Sequence, residues 1–270
     1  MLHDEGKLRP SHDQARDPSL RRNDGLCELT LRTAMPTYLD NLLLAALTPK
    51  SLQLLTPHLT PIALPVRAAL YKAEEPPEFA YFVTSGVASV VTTMVDGRSA
   101  EVSLIGREGL TGSMQLLGPS PVSTHCFMQL EGDGLQLRFA ELRKIFRSSE
   151  EVRERILEFV QDQALGVSQL AGCQRLHEAQ ERLARWLLMA NDRAGSETLN
   201  FTQEFLAMML GAQRTTVTAV AGELQRRGLI EYRRARVKIL NRKALEKIAC
   251  DCYRVTQQLY GGLYKQPLST

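Results

Sequence analysis

The chain has 270 residues, 44% of them apolar, 33 Lys and Arg against 30 Asp and Glu, and 5 Cys. That length accommodates two domains of ordinary size, and that apolar share fills real cores. An odd, irregularly spaced cysteine set excludes a disulfide framework and fits a reducing cytoplasm, and no apolar run approaches the roughly 18 residues of a membrane span.

Residues 1–38 open with MLHDEGKLRPSHDQARDPSLRRNDGL, which mixes charges of both signs with Pro, Gly and Asn and shows no periodicity. They read as a loosely ordered leader without the apolar core of a secretory signal. Short helical segments are expected at Asn41–Leu47 and Lys50–Leu59, before Pro61. From Ala63 to Leu137 the chain turns rich in Val, Ala, Thr and Gly, with recurrent turn residues, which predicts many short strands. In YFVTSGVASVVTTMVDGRSAEVSLIG (81–106) two β-rich runs flank Asp96-Gly97, a dipeptide suited to a tight hairpin turn because Gly tolerates positive φ. The Gly-rich stretch 106–121 reads as a loop, and a further strand pair is expected near Cys126–Leu130 and Gly134–Arg138. Residues 39–148 are thus expected to form a small antiparallel barrel or roll.

The period becomes helical at Ala140. Val152, Ile156, Phe159, Gln163, Val167, Leu170 and Gln174 recur at spacings of three and four, with most charges outside the stripe. A long helix over 149–177 follows, expected to pack on a copy of itself through Val152, Ile156, Phe159, Val167 and Leu170; the alternative is packing on its own roll. ERLARWLLMANDRAG (181–195) is a second amphipathic helix with Gly195 as its expected C-cap. Next come a short helix Thr202–Leu210, a turn at Gly211, a helix Gln213–Arg227 ended by Gly228, and β-like LIEYRRARVKIL (229–240), with helix again to about Tyr260. Residues 178–252 are taken as one domain and 253–270 as a C-terminal helix and tail. The overall class is α+β.

A helix, a Gly turn, a second helix and a two-stranded wing is the layout of a winged helix-turn-helix. There the second helix enters the major groove of double-stranded DNA with its first turn on the base edges. In LGAQRTTVTAV (210–220) the first turn offers Gln213, Arg214, Thr215, Thr216 and Thr218, while Val217, Val220, Ala221 and Leu224 form the apolar face. Arg matches the two acceptors of guanine, Gln matches adenine, and Thr presents a hydroxyl or a methyl. From Gln213 to Lys243 nine basic residues, among them Arg233, Arg234 and Arg236 of the wing, stand against Glu223 and Glu231. That imbalance suits a polyanion partner.

FTQEFLAMMLGAQRTTVTAVAGELQRRGLIEYRRARVKIL resembles the DNA-binding domain of the Crp/Fnr family of bacterial transcription regulators, and the order of roll, long helix and winged domain is similar over residues 40–252. The resemblance implies an N-terminal roll like a cyclic-nucleotide-binding domain, a two-fold dimer along the long helix, and two recognition helices reading a palindrome. It makes Thr202 the helix-capping, phosphate-touching threonine and Arg214 the first base-reading arginine. Thr215 falls where cyclic-AMP-responsive members carry a base-reading glutamate, and Ala219 where they carry a second arginine, so a different half-site is implied. Nucleotide-binding members need a glutamate after Gly and an Arg-Ser or Arg-Thr pair. Here the matching stretches read Gly112-Ser113 and Val122-Ser123-Thr124, with no Lys or Arg between Arg107 and Arg138. A cyclic phosphate would lack a charge-assisted partner there, so the expected regulator is not gated by cyclic AMP and its effector is unknown.

No cofactor and no metal site is expected. Only Cys27 precedes Cys126, which is too few for an N-terminal iron–sulfur cluster. Cys173 and His177 at i, i+4 have ligand spacing but read as core, Cys250 and Cys252 are expected to point to different faces of a helix, and His58 and His125 are isolated. RNA polymerase is a conceivable partner without a sequence signature. Two rival readings stay open: a small-molecule-binding module acting through protein partners, and an enzyme, for which no nucleophile–base pair or phosphate motif stands out.

Overall fold

The computed structural model describes residues 37–194, 196 and 198–265. The leader up to residue 36, Cys27 and the expected cap Gly195 lie outside the described residues.

Asn41 caps α1 (Leu42–Ala45) by accepting from the Leu44 amide at 3.1 Å. Its Nδ2 donates to the carbonyls of Val83 and Gly109 at 2.9 and 2.8 Å, so one buried amide caps the helix and fixes it to the roll. Thr48 caps α2 (Pro49–Leu55), with Pro49 in the first turn, where its missing N–H has no helical partner to lose. The helix expected to reach Leu59 tightens instead into a 3₁₀ turn, Thr56–His58.

The roll is two antiparallel sheets built from β1 (Thr60–Leu64), β2 (Ala69–Tyr71), β3 (Phe79–Val83), β4 (Val87–Thr93), β5 (Ser99–Ile105), β6 (Thr124–Leu130) and β7 (Gly132–Arg138), ordered β1-β7-β3 and β2-β6-β4-β5. Gly97, at φ +82°, makes the β4–β5 turn, and Asp96 Oδ1 accepts from the Arg98 amide at 3.0 Å. Phe82, Leu110, Met128 and Leu137 fill the core between the sheets, joined by Phe139 and Leu142 of α3 (Phe139–Ser148).

Ser149 caps the long helix α4 (Glu150–Leu176), whose first turn carries Glu150 and Glu151 at the positive end of the helix dipole. Here the sequence expectation is corrected. Val152, Ile156 and Phe159 are at most 1% exposed within the single chain because they complete the core of the roll. A Cβ on Gly109 would stand 2.1 Å from the Phe159 ring, so the loop backbone lies directly on that side chain. These three residues have no surface left for a partner. Past Val160 the helix keeps one face on the roll, with Gln163 accepting from Ser113 and donating to Ser103, while Leu165 and Val167 are exposed and Leu170 is half-buried.

The second core belongs to α5 (Ala179–Ala194), β8 (Thr198–Asn200), α6 (Gln203–Leu210), α7 (Arg214–Arg226), β9 (Ile230–Arg233), β10 (Arg236–Ile239) and α8 (Arg242–Ile248). β8 was not expected; three residues are too few to show alternation, yet it pairs with β10 to make a sheet ordered β8-β10-β9. The helix expected to run on to about Tyr260 breaks at Ala249, whose ψ of 142° is extended, before α9 (Cys252–Gly262). Among the described residues no helix is long and apolar enough to cross a membrane.

Candidate nucleic-acid interface

Thr202 Oγ1 accepts from the Phe205 amide at 3.1 Å and starts α6. Gly211 ends it in the left-handed region at φ +56°, which a residue with a Cβ reaches only at a cost. The tight turn delivers Gln213 with an extended backbone as the N-cap of α7, its side chain making no capping bond. Arg214, Thr215 and Thr216 are exposed on the first turn, while Val217, Ala221 and Leu224 are buried on the opposite face. Unpaired amides and the positive dipole end coincide with those polar side chains. Thr218 differs from the other expected contacts: its hydroxyl lies 2.9 Å from both Gln203 Oε1 and the Arg214 carbonyl, which commits it to holding α6 against α7.

On the wing, Arg233 and Arg236 are cross-strand neighbours flanking a two-residue turn, Arg234-Ala235, in which both φ values are positive. Arg233, Arg234 and Arg236 are all exposed. Directly opposed like charges cost stability in a free hairpin, and a phosphate backbone relieves that cost. Tyr232 anchors the wing by donating its hydroxyl to the Phe201 carbonyl at 3.0 Å and its amide to Gln225 Oε1 at 2.7 Å.

The winged domain rests on the roll through groups that the sequence did not single out. Trp186 Nε1 donates to Glu101 Oε1 at 2.6 Å, Ser89 donates to Glu101 Oε2 at 2.6 Å, and Arg193 Nε donates to the buried Glu108 at 2.7 Å. Phe127 of the roll meets Phe205 edge-on at 6.3 Å. No local spacing betrays Trp186–Glu101 or Arg193–Glu108, each pair being separated by 85 residues. A cleft of about 1190 Å³ runs beside the contact, and both Thr202 and Gln213 line it together with Met94 and Arg98 of the β4–β5 hairpin.

Inside the roll a second cleft of about 610 Å³ is bordered by Tyr71, Val90, Ser113, Val122, Thr124 and, from α4, Val167; among the described residues no acidic or basic side chain lines it. Ser113 donates to Gln163 of α4 at 3.1 Å, which links the cleft to the long helix. Burial pushes the Tyr71 phenol well above its usual range.

The four cysteine and histidine residues read as separate core features come together. Cys173, His177, Cys250 and Cys252 present ligand atoms that all lie within 4.8 Å of one another. The break between α8 and α9 is why: Cys250 precedes α9 and Cys252 begins it, so the two thiols do not diverge as they would along one helix. The bond shared by Cys173 and Cys250 holds the Cys173 thiol below the usual range and pushes Cys250 above it, while burial raises Cys252. The spacings i, i+4 and C-x-C were visible separately; what joins them is the return of α9 onto α4.

The family model of the Crp-like helix-turn-helix domain matches residues 181–248, and that of the cyclic nucleotide-binding domain matches residues 62–149. A Mycobacterium tuberculosis protein named CRP-like cAMP-activated global transcriptional regulator is 23% identical over 208 residues, spanning 74% of this chain and 93% of that protein. Among solved structures, a Crp/Fnr-family protein from Eubacterium rectale superposes with a TM-score of 0.63 at 18% identity, covering 76% of this chain and 96% of the other. FixK2 from Bradyrhizobium japonicum gives 0.60 at 17% identity, with 71% and 98% covered. The c-di-GMP responsive global regulator CLP of Xanthomonas campestris gives 0.58 at 19%, with 71% and 99% covered. At such identities the superpositions speak for the fold. With both domain models matched in this order on one chain, around a winged helix-turn-helix whose first turn is polar and exposed, the chain belongs to the Crp/Fnr family of DNA-binding transcription regulators.

Proposed function

We propose that the chain acts in the cytoplasm as a homodimer that reads a palindromic operator and is not gated by cyclic AMP. The observation that carries the reading is the division of α7: one face is spent on the core, and Gln213, Arg214, Thr215 and Thr216 are left exposed at its positive end. Arg214 would take a guanine, Thr202 and the wing's Arg233, Arg234 and Arg236 the flanking phosphates. Thr218 acts in this scheme by setting the angle between α6 and α7. Recruitment of RNA polymerase fits a regulator of this build.

The burial of Val152, Ile156 and Phe159 in the roll's core supports a dimer face farther along α4. Before the exposed Arg175, α4 exposes Gln161, Ala164, Leu165, Val167, Ser168, Ala171 and Gly172, an uncharged run of mostly small or apolar side chains suited to close helix pairing. Val167 keeps its place in the expected set, with Leu170 beside it. The argument against cyclic AMP is the lining of the 610 Å³ cleft, where the described residues offer a phosphate no cation. An uncharged, largely apolar small molecule suits it better, although the mycobacterial relative is named for activation by cAMP.

Binding-site selection on the full chain, with and without cyclic AMP, tests the reading. The expected motif is an inverted repeat with half-site centres about 10 base pairs apart, enriched equally under both conditions. A motif without two-fold symmetry sinks the dimeric assignment, and enrichment only with cyclic AMP sinks the other.

A further inference from the structure

Cys173 and His177 lie one turn apart at the end of α4, and Cys250 and Cys252 bracket the joint between α8 and α9. Cys173 Sγ is 3.5 Å from Cys250 Sγ, and Cys252 Sγ is 3.5 Å from His177 Nδ1. Ligands at zinc distances, about 2.3 Å for sulfur and 2.0 Å for nitrogen, stand roughly 3.5–3.8 Å apart on a tetrahedron. These two spacings therefore need almost no adjustment, and all four ligand atoms lie within 4.8 Å of one another. All three cysteines are at most 5% exposed, and the set supplies four protein ligands, the closed pattern of a structural site.

The surroundings point the same way. Asp251 Oδ1 lies 3.3 Å from His177 Nε2, which places a proton on Nε2 and leaves the Nδ1 lone pair toward the sulfurs. A carboxylate behind a histidine is the usual support of a metal-bound imidazole. Gln169 Nε2 donates to Cys252 Sγ at 3.0 Å, a bond that favours a thiolate. Three thiolates and one histidine around a divalent cation carry a net charge of −1, and a buried guanidinium is at hand to offset it. Arg185 is 5% exposed, its Nη1 donates to Met189 Sδ at 3.4 Å, its Nε has no hydrogen-bond partner among the described residues, and it lies within electrostatic reach of Cys173 and Cys250. A purely apolar packing role for the thiols would leave the Asp251–His177 pairing without a purpose, and the charge of Arg185 acts on Glu101 as well as on the thiols.

We propose that Cys173, His177, Cys250 and Cys252 bind one Zn²⁺, with Asp251 as the positioning residue behind His177. Binding releases the remaining thiol protons and involves no change of oxidation state. The ion would fasten together the two joints at which the chain enters and leaves the winged domain, the end of α4 and the start of α9. It would thus act as a clip at the base of that domain.

Metal analysis of the full chain, purified with reductant and supplied with zinc, is expected to give one equivalent per chain. Co²⁺ in its place should give thiolate-to-cobalt charge transfer and the intense visible bands of a tetrahedral ion. Cys250→Ser and Cys252→Ser should abolish those bands, whereas Cys27→Ser should keep them. Asp251→Asn, which leaves all four ligands, should bind Co²⁺ about 10-fold more weakly. A reduced chain with intact circular dichroism that takes up no cobalt overturns the site. So do bands that persist in the Cys250→Ser, Cys252→Ser double variant, unaltered affinity in Asp251→Asn, or the absorption of an iron–sulfur cluster in the purified protein.

Discussion

Glu101 is a buried carboxylate on which the roll and the winged domain meet, and burial pushes its pKa up to about 7. Bonds from Ser89 and Trp186 and the charges of Arg185 and Arg193 pull the other way without cancelling that cost. Because the folded value lies above the unfolded one of 4.5, the protonated form is the one the fold prefers. The contribution is complete below that unfolded value and is lost as pH rises through about 7, at most about 3 kcal/mol in all. Glu101→Gln, which keeps an acceptor for Trp186, is expected to melt like the wild type at low pH and at a higher temperature above pH 7. Asp162, raised to about 6 chiefly by burial and also by Glu108, retains a weaker slope of the same sign. Thermal melts across this window check the difference, and parallel curves for the two proteins would refute it. Phe159 gives a second residue-scale test. Since its ring fills the roll over Gly109, Phe159→Ala should cost about 3–5 kcal/mol in urea unfolding, while leaving the molecular mass in light scattering unchanged.

At the scale of elements, α7 and the wing are expected to divide the work of recognition. Arg214→Ala should cost about 1–3 kcal/mol and relax choice at one base pair per half-site. Arg234→Ala should weaken all sequences alike and lower the salt slope by roughly one unit. Site selection and salt titration on both variants measure this; an unchanged motif for Arg214→Ala would mean that the helix does not read bases. These two elements were legible in the sequence because their signals are local: a cap, a Gly turn, a polar first turn and an apolar face within thirty residues of one another. The hairpin at Asp96-Gly97 was legible for the same reason. Periodicity in α4 told only that a face is buried, not what buries it, so Val152, Ile156 and Phe159 were assigned to a partner when the roll already covers them. Glu101–Trp186 and the four clustered metal-type ligands depend on long-range return of the chain, which no spacing encodes.

For the whole molecule, the proposed dimer is expected to form along the part of α4 beyond Val160. Over Gln161–Gly172 the exposed positions recur at intervals of three and four, carry no charge and include Ala164, Ala171 and Gly172, which let two helix backbones approach closely. A two-fold axis there would place the same patch against itself. Leu165 and Ala171 are exposed in the single chain, so acidic substitutions there leave each roll's core untouched. Leu165→Asp, Ala171→Asp is expected to run as a folded monomer in light scattering with wild-type circular dichroism. Because the second half-site is then no longer reached by a tethered partner, affinity for the full inverted repeat should fall by about 10²–10⁴, while binding to an isolated half-site stays as weak as in the wild type. A dimeric mass for this variant would move the interface elsewhere on the surface. A monomer that still holds the full repeat at wild-type affinity would show that recognition does not depend on two coupled helices.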